Sequence, residues 1–496
     1  MPAIHLEMDY SSYADMMLAV THDVRELEAV WAVNFSPTRC RVVTTYFEDQ
    51  LAVLKKRPFD NPDAQAKVDR VLLEQYCGRQ IHGFAGFKQS CDEAHDLMQP
   101  FAGKIVDLIE HELVTSTAPI ASRALDTLMA ASVSVRERQV QVSQGHIAIT
   151  TATGRFAAEE LAKLPSVIDA WQKAQSYPTP RSEEIEIACT ELAEDLKLLA
   201  NVCQSRADSL LQPNYSTQAV QPCGAETLSQ VLRRNFVKYS PQELRQMVQK
   251  ECMEMQLRLK QTADECGLHG DWKRALEEVA DEQLERRLTG INRISDFLQS
   301  SRLLNVPSVA RATLPLAESY NSLAASFASH LREYVHRRSH RSYRSLHNTI
   351  LWMRGWDSYV EWLLLEHGFA QTGADKLVSQ AAWLRTCAEA WLCLSFQLGD
   401  FTLQECSEKL AALTMLEKAQ AEAVILEGLG QDCSPVELGA SWIGSLQLRN
   451  LRMEVLEKSG LEMDEKEFHD WILWQGGVPV GLIGKVLLGD DIGRER

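Results

Sequence analysis

His340–Phe369, HRSYRSLHNTILWMRGWDSYVEWLLLEHGF, and Trp383–Phe401, WLRTCAEAWLCLSFQLGDF, decide the fold class of this chain. In both stretches apolar residues recur at i, i+3, i+4 and i+7, the period of a helix that buries one stripe against other helices. Trp352, Trp356, Trp362, Trp383 and Trp391 lie in them, and eight of the eleven tryptophans fall between Trp352 and Trp474. The large aromatic contacts therefore belong to the C-terminal half.

Outward from this stretch the same period continues. Towards the N-terminus it predicts helices over 18–57, 63–89, 92–113, 116–140 and 183–211, with another resuming at Phe156. Ser240-Pro241-Gln242-Glu243 carries an N-cap serine, a proline at the first helical position and the capping-box glutamate, so a helix starts there. Further helices are expected over 270–288, 289–303, 316–346, 349–369, 376–398, 402–427, 435–459 and 464–475. Only Gln139–Thr153, QVQVSQGHIAITTAT, alternates like a strand, and it predicts at most one small β hairpin. The proline- and glycine-bearing Gln212–Thr227 is the expected linker or long loop between an N-terminal helical region, 1–211, and a C-terminal helical region, 228–496. The fold class is all-α.

Composition narrows the function. With 45% hydrophobic and 24% charged residues the chain has material for a sizeable core. A formal net charge of −17 argues against a generic nucleic-acid surface, which needs excess Lys and Arg. No run approaches eighteen uninterrupted apolar residues, so neither a transmembrane helix nor a membrane partner is expected. MPAIHLEMDYSSYADMM lacks the basic and apolar regions of a secretory signal, and the twelve cysteines include no CxxC pair. Reduced thiols and a cytoplasmic location are the expectation. Dinucleotide-binding GxGxxG, P-loop and G-x-S-x-G motifs are missing, and no cofactor is expected.

Eight pieces in order now point to a family. They are YSPQEL at Tyr239–Leu244, GDWKRAL at Gly270–Leu276, HRSYRS at His340–Ser345, RGWDSYVE at Arg354–Glu361, LSFQLGDFTLQEC at Leu394–Cys406, AQAEA at Ala419–Ala423, SLQLRNL at Ser445–Leu451 and FHDWILWQGGVPV at Phe468–Val480. With these the C-terminal half resembles the DUF885 family, helical proteins related by fold to zinc-dependent metallopeptidases. The resemblance implies a deep internal cavity and metal ligands from a His-Glu…Gly-His-His segment and from the Glu opening an E-G-W motif. This chain departs from that pattern. Tyr320–Val335 reads YNSLAASFASHLREYV, with Ala324 and Ala325 in place of the His-Glu pair and His330 where one family His stands. Arg354 replaces the E-G-W glutamate, and a guanidinium cannot ligate a metal. Glu389 stands for a family Arg, Gln397 for a family His, and Ser441 for an expected Tyr. No metal ligand set is therefore assigned.

Arg354 and Glu389 look like one charge exchange across the old site, which predicts that they pair; independent drift is the plainer alternative. His336 and His340, spaced i, i+4, would share a helix face, but Arg332, Arg337, Arg338, Arg341 and Arg344 surround them and disfavour a cation. That basic run can instead hold an anionic group, or be an inherited helix face. Asp92, Glu93 and Asp96 resemble the aspartate-rich Mg²⁺ motif of terpene cyclases, though no second motif accompanies them and acidic helix starts are common. The resemblance implies that His469 and Asp470 fix the C-terminal helix, so both read as structural.

The function read from the sequence is a metal-independent, repurposed enzyme of cyclase, lyase or isomerase type, binding a small, partly apolar substrate in a Trp-lined cavity. Arg354, Glu389, Gln397 and Glu361 are its candidate catalytic residues. Trp352, Trp356, Tyr359, Trp391, Phe396, Arg341 and His330 are its candidate substrate contacts. A small-molecule substrate with an anionic group is the expected partner. The alternatives are a non-catalytic ligand- or protein-binding pseudoenzyme, a residual hydrolase and a Mg²⁺-dependent terpene cyclase-like lyase.

Overall fold

The computed structural model describes residues 12–30, 37–57, 63–111, 118–147, 149–174, 181–209, 221–267, 269–280, 283–307, 323–430, 433–457, 463–490 and 492. Every regular element among them is helical. The first six helices are α1 (Tyr13–Val30), α2 (Pro37–Lys56), α3 (Ala64–His111), α4 (Ala118–Ser143), α5 (Thr151–Ala174) and α6 (Arg181–Ser209). There follow α7 (Gly224–Arg234), α8 (Pro241–Glu265), α9 (Trp272–Ala280), α10 (Gln283–Ser300) and α11 (Leu323–Arg338). After a 3₁₀ turn at Ser342–His347 come α12 (Ile350–Glu366), α13 (Gly373–Gln397), α14 (Leu403–Leu413), α15 (Lys418–Leu429), α16 (Ala440–Glu457), α17 (Glu465–Trp474) and α18 (Val480–Leu488).

The chain forms two compact units, one from Met1–Glu26, Leu54–Tyr76 and Val220–Arg496, the other from Leu27–Val53 and Cys77–Ala219. A single cut in 212–227 differs from this division, because two N-terminal stretches go with the C-terminal half. Residues 212–220 lie outside the described residues, and α7 already starts at Gly224 within the expected linker.

In the first unit α8 buries Leu244, Val248, Cys252, Met255 and Leu259, one stripe at helical spacing. This stripe packs on α13, which contributes Trp383, Leu384, Cys387 and Cys393 to the same core. The capping box at the start of α8 is formed: the Glu243 amide donates to Ser240 Oγ at 3.3 Å and the Ser240 amide to Glu243 Oε2 at 2.8 Å. α12 lies against α16 through Gly355 and Gly444, where a β-carbon on Gly444 would stand 1.9 Å from the Leu351 carbonyl oxygen. Only glycine permits that approach.

In the second unit α4 and α5 pack on α6. Ala121, Ala124, Leu128, Ala131 and Val135 form the buried stripe of α4. Asp195 of α6 accepts from Ser132 and from Arg136, the latter at 2.8 Å. The strand-like passage proves helical at both ends. Gln139–Ser143 finish α4, Gly145 turns the chain at φ +73°, and Thr150 accepts from the Thr153 amide at 3.0 Å to open α5. The hydroxyl that looked β-prone is a helix cap.

Candidate functional site

Three helices of the first unit, α11, α12 and α13, carry the residues the sequence placed at the old metal site. Thr349 caps α12 by accepting from the Trp352 amide at 3.2 Å, which fixes the rotation of the helix. Asp357 and Glu361, one turn apart, then share a face, and Glu389 of α13 acts electrostatically on Glu361. Arg332 of α11, itself buried, lies 3.5 Å from Asp357 through Nε and Oδ1.

Burial dominates the electrostatics of these carboxyls. It pushes Asp357 up to about 7 in spite of Arg332. It pushes Glu361 up to about 8, with Asp357 and Glu389 adding like-charge repulsion. Glu389 is also raised by burial, while Arg385 at 2.7 Å and Arg354 pull it back. Glu361 therefore holds its proton near neutral pH and has no guanidinium paired with it among the described residues. Along the same seam His336 Nε2 and the indole N–H groups of Trp352 and Trp356 are buried without a hydrogen-bond partner among the described residues. Buried polar groups in folded proteins are rarely left so, and such a row suits a polar ligand or water.

The charge exchange across the site is not a direct pair. Arg354, 48% exposed, bonds Glu437 at 2.8 Å and its carbonyl at 3.0 Å, whereas Glu389 is paired with Arg385. Arg354 reaches Glu389 only through its field. Gln397 is withdrawn from the site, since its Oε1 accepts from the Cys223 amide at 2.9 Å and fastens the start of α7. His340 is exposed and lies beyond the end of α11, so it and His336 do not share a helix face. Burial and Arg332 push His336 down to about 4.

The tryptophans of the expected cavity are packed core. Trp352 is fully buried and stacks on His336 at 6.1 Å and 7°. Trp356, also fully buried, meets Tyr359 and the His469 ring. His469 Nδ1 lies 2.6 Å from the Leu303 carbonyl, which can only accept, so Nε2 is the acceptor for the Tyr359 hydroxyl at 2.7 Å. Asp470 accepts from the Asn305 amide at 3.1 Å. Phe396 is buried, and half-buried Trp391 packs edge-on against Phe401. Arg341 is half-buried beside Arg344, and His330 is half-buried on α11. In the second unit Glu93 accepts from Thr153 at 2.9 Å while Asp92 and Asp96 are exposed, which gives the Mg²⁺ motif reading no support.

A cleft of about 580 Å³ lies between α8, α12, α13 and α16, with half-buried Trp362 beside it and the buried rings of Trp383 and Trp442 beneath. At its floor Glu251 accepts from Trp383 Nε1 at 2.9 Å, from Trp442 Nε1 at 2.8 Å and from both terminal nitrogens of Arg449 at 2.8 and 3.2 Å. The Arg449 guanidinium lies 5.3 Å from the Trp362 ring and 5.4 Å from Trp383. Sequence reading passed over this group. Its signal was a glutamate between Val248 and Met255 on an apolar stripe, and an arginine one helical turn beyond Leu446.

With this geometry in view, residues 331–487 match the model of a family described as "Bacterial protein of unknown function (DUF885)". The pieces at Tyr239 and Gly270 fall outside the matched range. Among solved structures, a "putative lipoprotein of unknown function from Shewanella oneidensis" aligns with a TM-score of 0.59 and 16% identity over 97% of this chain and 100% of that one. A "putative lipoprotein from Colwellia psychrerythraea" aligns with a TM-score of 0.54 and 12% identity over 92% of this chain and 91% of that one. These likenesses concern the fold. A comparison with curated proteins returned no match. The descriptions of both solved structures overturn the expectation of a cytoplasmic location, which rested on short N-terminal composition and unpaired cysteines alone.

Proposed function

From a chain whose residues 331–487 carry the DUF885 region, we propose a repurposed enzyme that performs acid–base chemistry of cyclase, lyase or isomerase type on a small, partly apolar substrate. Glu361 is the proton-carrying group. The observation that carries this reading is its half-buried carboxyl, pushed up to about 8 by burial and then by Asp357 and Glu389, with no cation paired to it among the described residues. A group with that proton affinity gives and takes protons near neutral pH, where an ordinary glutamate is fully ionised. Asp357, paired with Arg332, supplies the neighbouring charge, and Arg354 stands where the resemblance expects a ligating glutamate. His336 Nε2, buried without a hydrogen-bond partner among the described residues, is available to a polar group of the substrate. The lipoprotein descriptions of the two solved relatives support a membrane-attached location outside the cytoplasm for this chain as well.

The test is conversion of small molecules in a fractionated bacterial extract, followed by mass spectrometry for the wild type and for Glu361→Gln. The expected result is a compound transformed by the wild type and left intact by the variant. Equal conversion by both proteins, or conversion that a chelator stops and added zinc restores, would sink this reading. Binding of a compound by both without conversion would favour a ligand-binding protein instead.

A further inference from the structure

Asp357 and Glu361 stand one helical turn apart on α12. In a buried seam two such carboxyls resist ionising together, because the first negative charge opposes the second. Which of them keeps the proton depends on where the nearest cation is fixed. Building on the role given to Glu361 above, we propose that Arg332 is a positioning residue: held beside Asp357, it keeps that carboxyl ionised and leaves the shared proton on Glu361.

The guanidinium is tied to one member of the pair. Arg332 is only 5% exposed, and its Nε lies 3.5 Å from Asp357 Oδ1. A terminal nitrogen donates to Ser329 Oγ at 3.0 Å, one turn back on α11, and the same serine favours ionised Asp357 through a hydrogen bond. Held at these two points, the charge stays with Asp357.

The other charges around the pair are committed elsewhere. On α11 Glu333 lies 3.5 Å from Arg337 and pushes Asp357 up. On α13 Glu389 holds Arg385 at 2.7 Å, and Arg354 of α12 bonds Glu437. On α16 Arg449 holds Glu251, while Arg452 holds Glu366 and Glu465. Glu361 is left with the like charges of Asp357 and Glu389, and no cation is paired to it among the described residues. Burial raises both carboxyls of the pair, and Asp357, the one with the cation, stays the lower, at about 7 against about 8.

The experiment treats the full chain with dicyclohexylcarbodiimide, which reacts with the protonated form of a carboxyl and leaves a stable N-acylurea. Peptide mass spectrometry follows the label on each residue from about pH 5 to about pH 10. The pH at which labelling falls to half reports protonation, whatever the reagent's ease of access. In the wild type Asp357 should reach its midpoint below Glu361. Arg332→Met should move the Asp357 midpoint up by about one pH unit or more and above that of Glu361, and Arg332→Lys should restore the original order. Asp357→Asn should lower the Glu361 midpoint by removing a like charge. Circular dichroism checks that each variant is folded; should Arg332→Met fail to fold, the wild-type order and Asp357→Asn decide. A wild-type order that is equal or reversed, an Asp357 midpoint indifferent to Arg332→Met, a lysine that acts like methionine, or a Glu361 midpoint unmoved in Asp357→Asn would each overturn the proposal. Labelling needs no turnover. A chain that gives this pattern and converts nothing keeps the role of Arg332 and loses the catalytic reading, whereas Glu361-dependent conversion with the midpoints reversed loses the role of Arg332 alone.

Discussion

Glu361 shows how little a residue's identity fixes its chemistry. Its name and place on an amphipathic helix were legible, but its proton affinity comes first from burial, with like-charge repulsion from Asp357 on the same helix and from Glu389 on α13 added to it. The consequence for stability has a definite sign. In the unfolded chain the carboxyl loses its proton near 4.5, and in the fold near 8. Between those values only the folded state keeps the proton, so this group's contribution is full at low pH and falls as pH rises through the window. Each unit of separation corresponds to 1.36 kcal/mol, and partial exposure reduces the sum. Glu361→Gln should therefore gain on the wild type by about 2 kcal/mol between pH 5 and pH 9 in paired urea titrations. A gap that does not change with pH would mean the carboxyl is ionised in the fold. His336 and His469, both pushed down to about 4 by burial, act in the opposite direction and destabilise the fold as pH falls below 6.5. They are common to both proteins and cancel in the comparison.

At the scale of elements, helices were readable wherever an apolar stripe coincided with a capping signal. Ser240 and Glu243 announced α8, and the structure forms that box. Thr402 with Glu405 and Asp464 with Glu467 cap α14 and α17 in the same way. Reading failed where local and tertiary preferences part, as at Gln139–Thr153. It also ran one helix from 316 to 346, whereas α11 stops at Arg338 and a 3₁₀ turn follows. Which helices touch was not legible at all. The α12–α16 contact depends on Gly355 and Gly444 facing each other, and the two are 89 residues apart in sequence (444 − 355). Gly444→Ala should cost about 3 kcal/mol, because the new methyl would meet the Leu351 carbonyl and the backbone of α12 rather than a yielding side chain. Chemical denaturation checks this. A cost below about 1 kcal/mol would show that the two helices part without penalty.

On the scale of the whole molecule, the first unit is tied together by a few buried charges. Arg344 is fully buried and bonds Asp69 at 2.6 Å, the Gln475 carbonyl at 2.9 Å and Gln65 Oε1 at 3.0 Å. The Tyr343 hydroxyl donates to the same aspartate at 2.9 Å. In sequence Arg344 was one member of a basic run, and nothing marked Asp69. Asp69→Asn should cost about 3 kcal/mol, since it leaves a buried guanidinium without its counter-charge. The double variant Asp69→Leu, Arg344→Met should recover much of that loss. A double variant as unstable as the single one would show that shape, rather than charge, holds α3 to the 3₁₀ turn.

The sequence by itself determined that this chain is helical, because period and caps are local properties that each segment carries alone. It also determined that position 354 ligates no metal, because a guanidinium cannot do so wherever it sits. Only the tertiary structure decided that Trp352, Trp356, Trp383 and Trp442 are buried core while Trp362 stays half-buried. It alone decided that Arg354 pairs with Glu437, and that Glu361 keeps a proton. Burial and charge pairing depend on residues distant in the chain, and no helical period records which helix will face which.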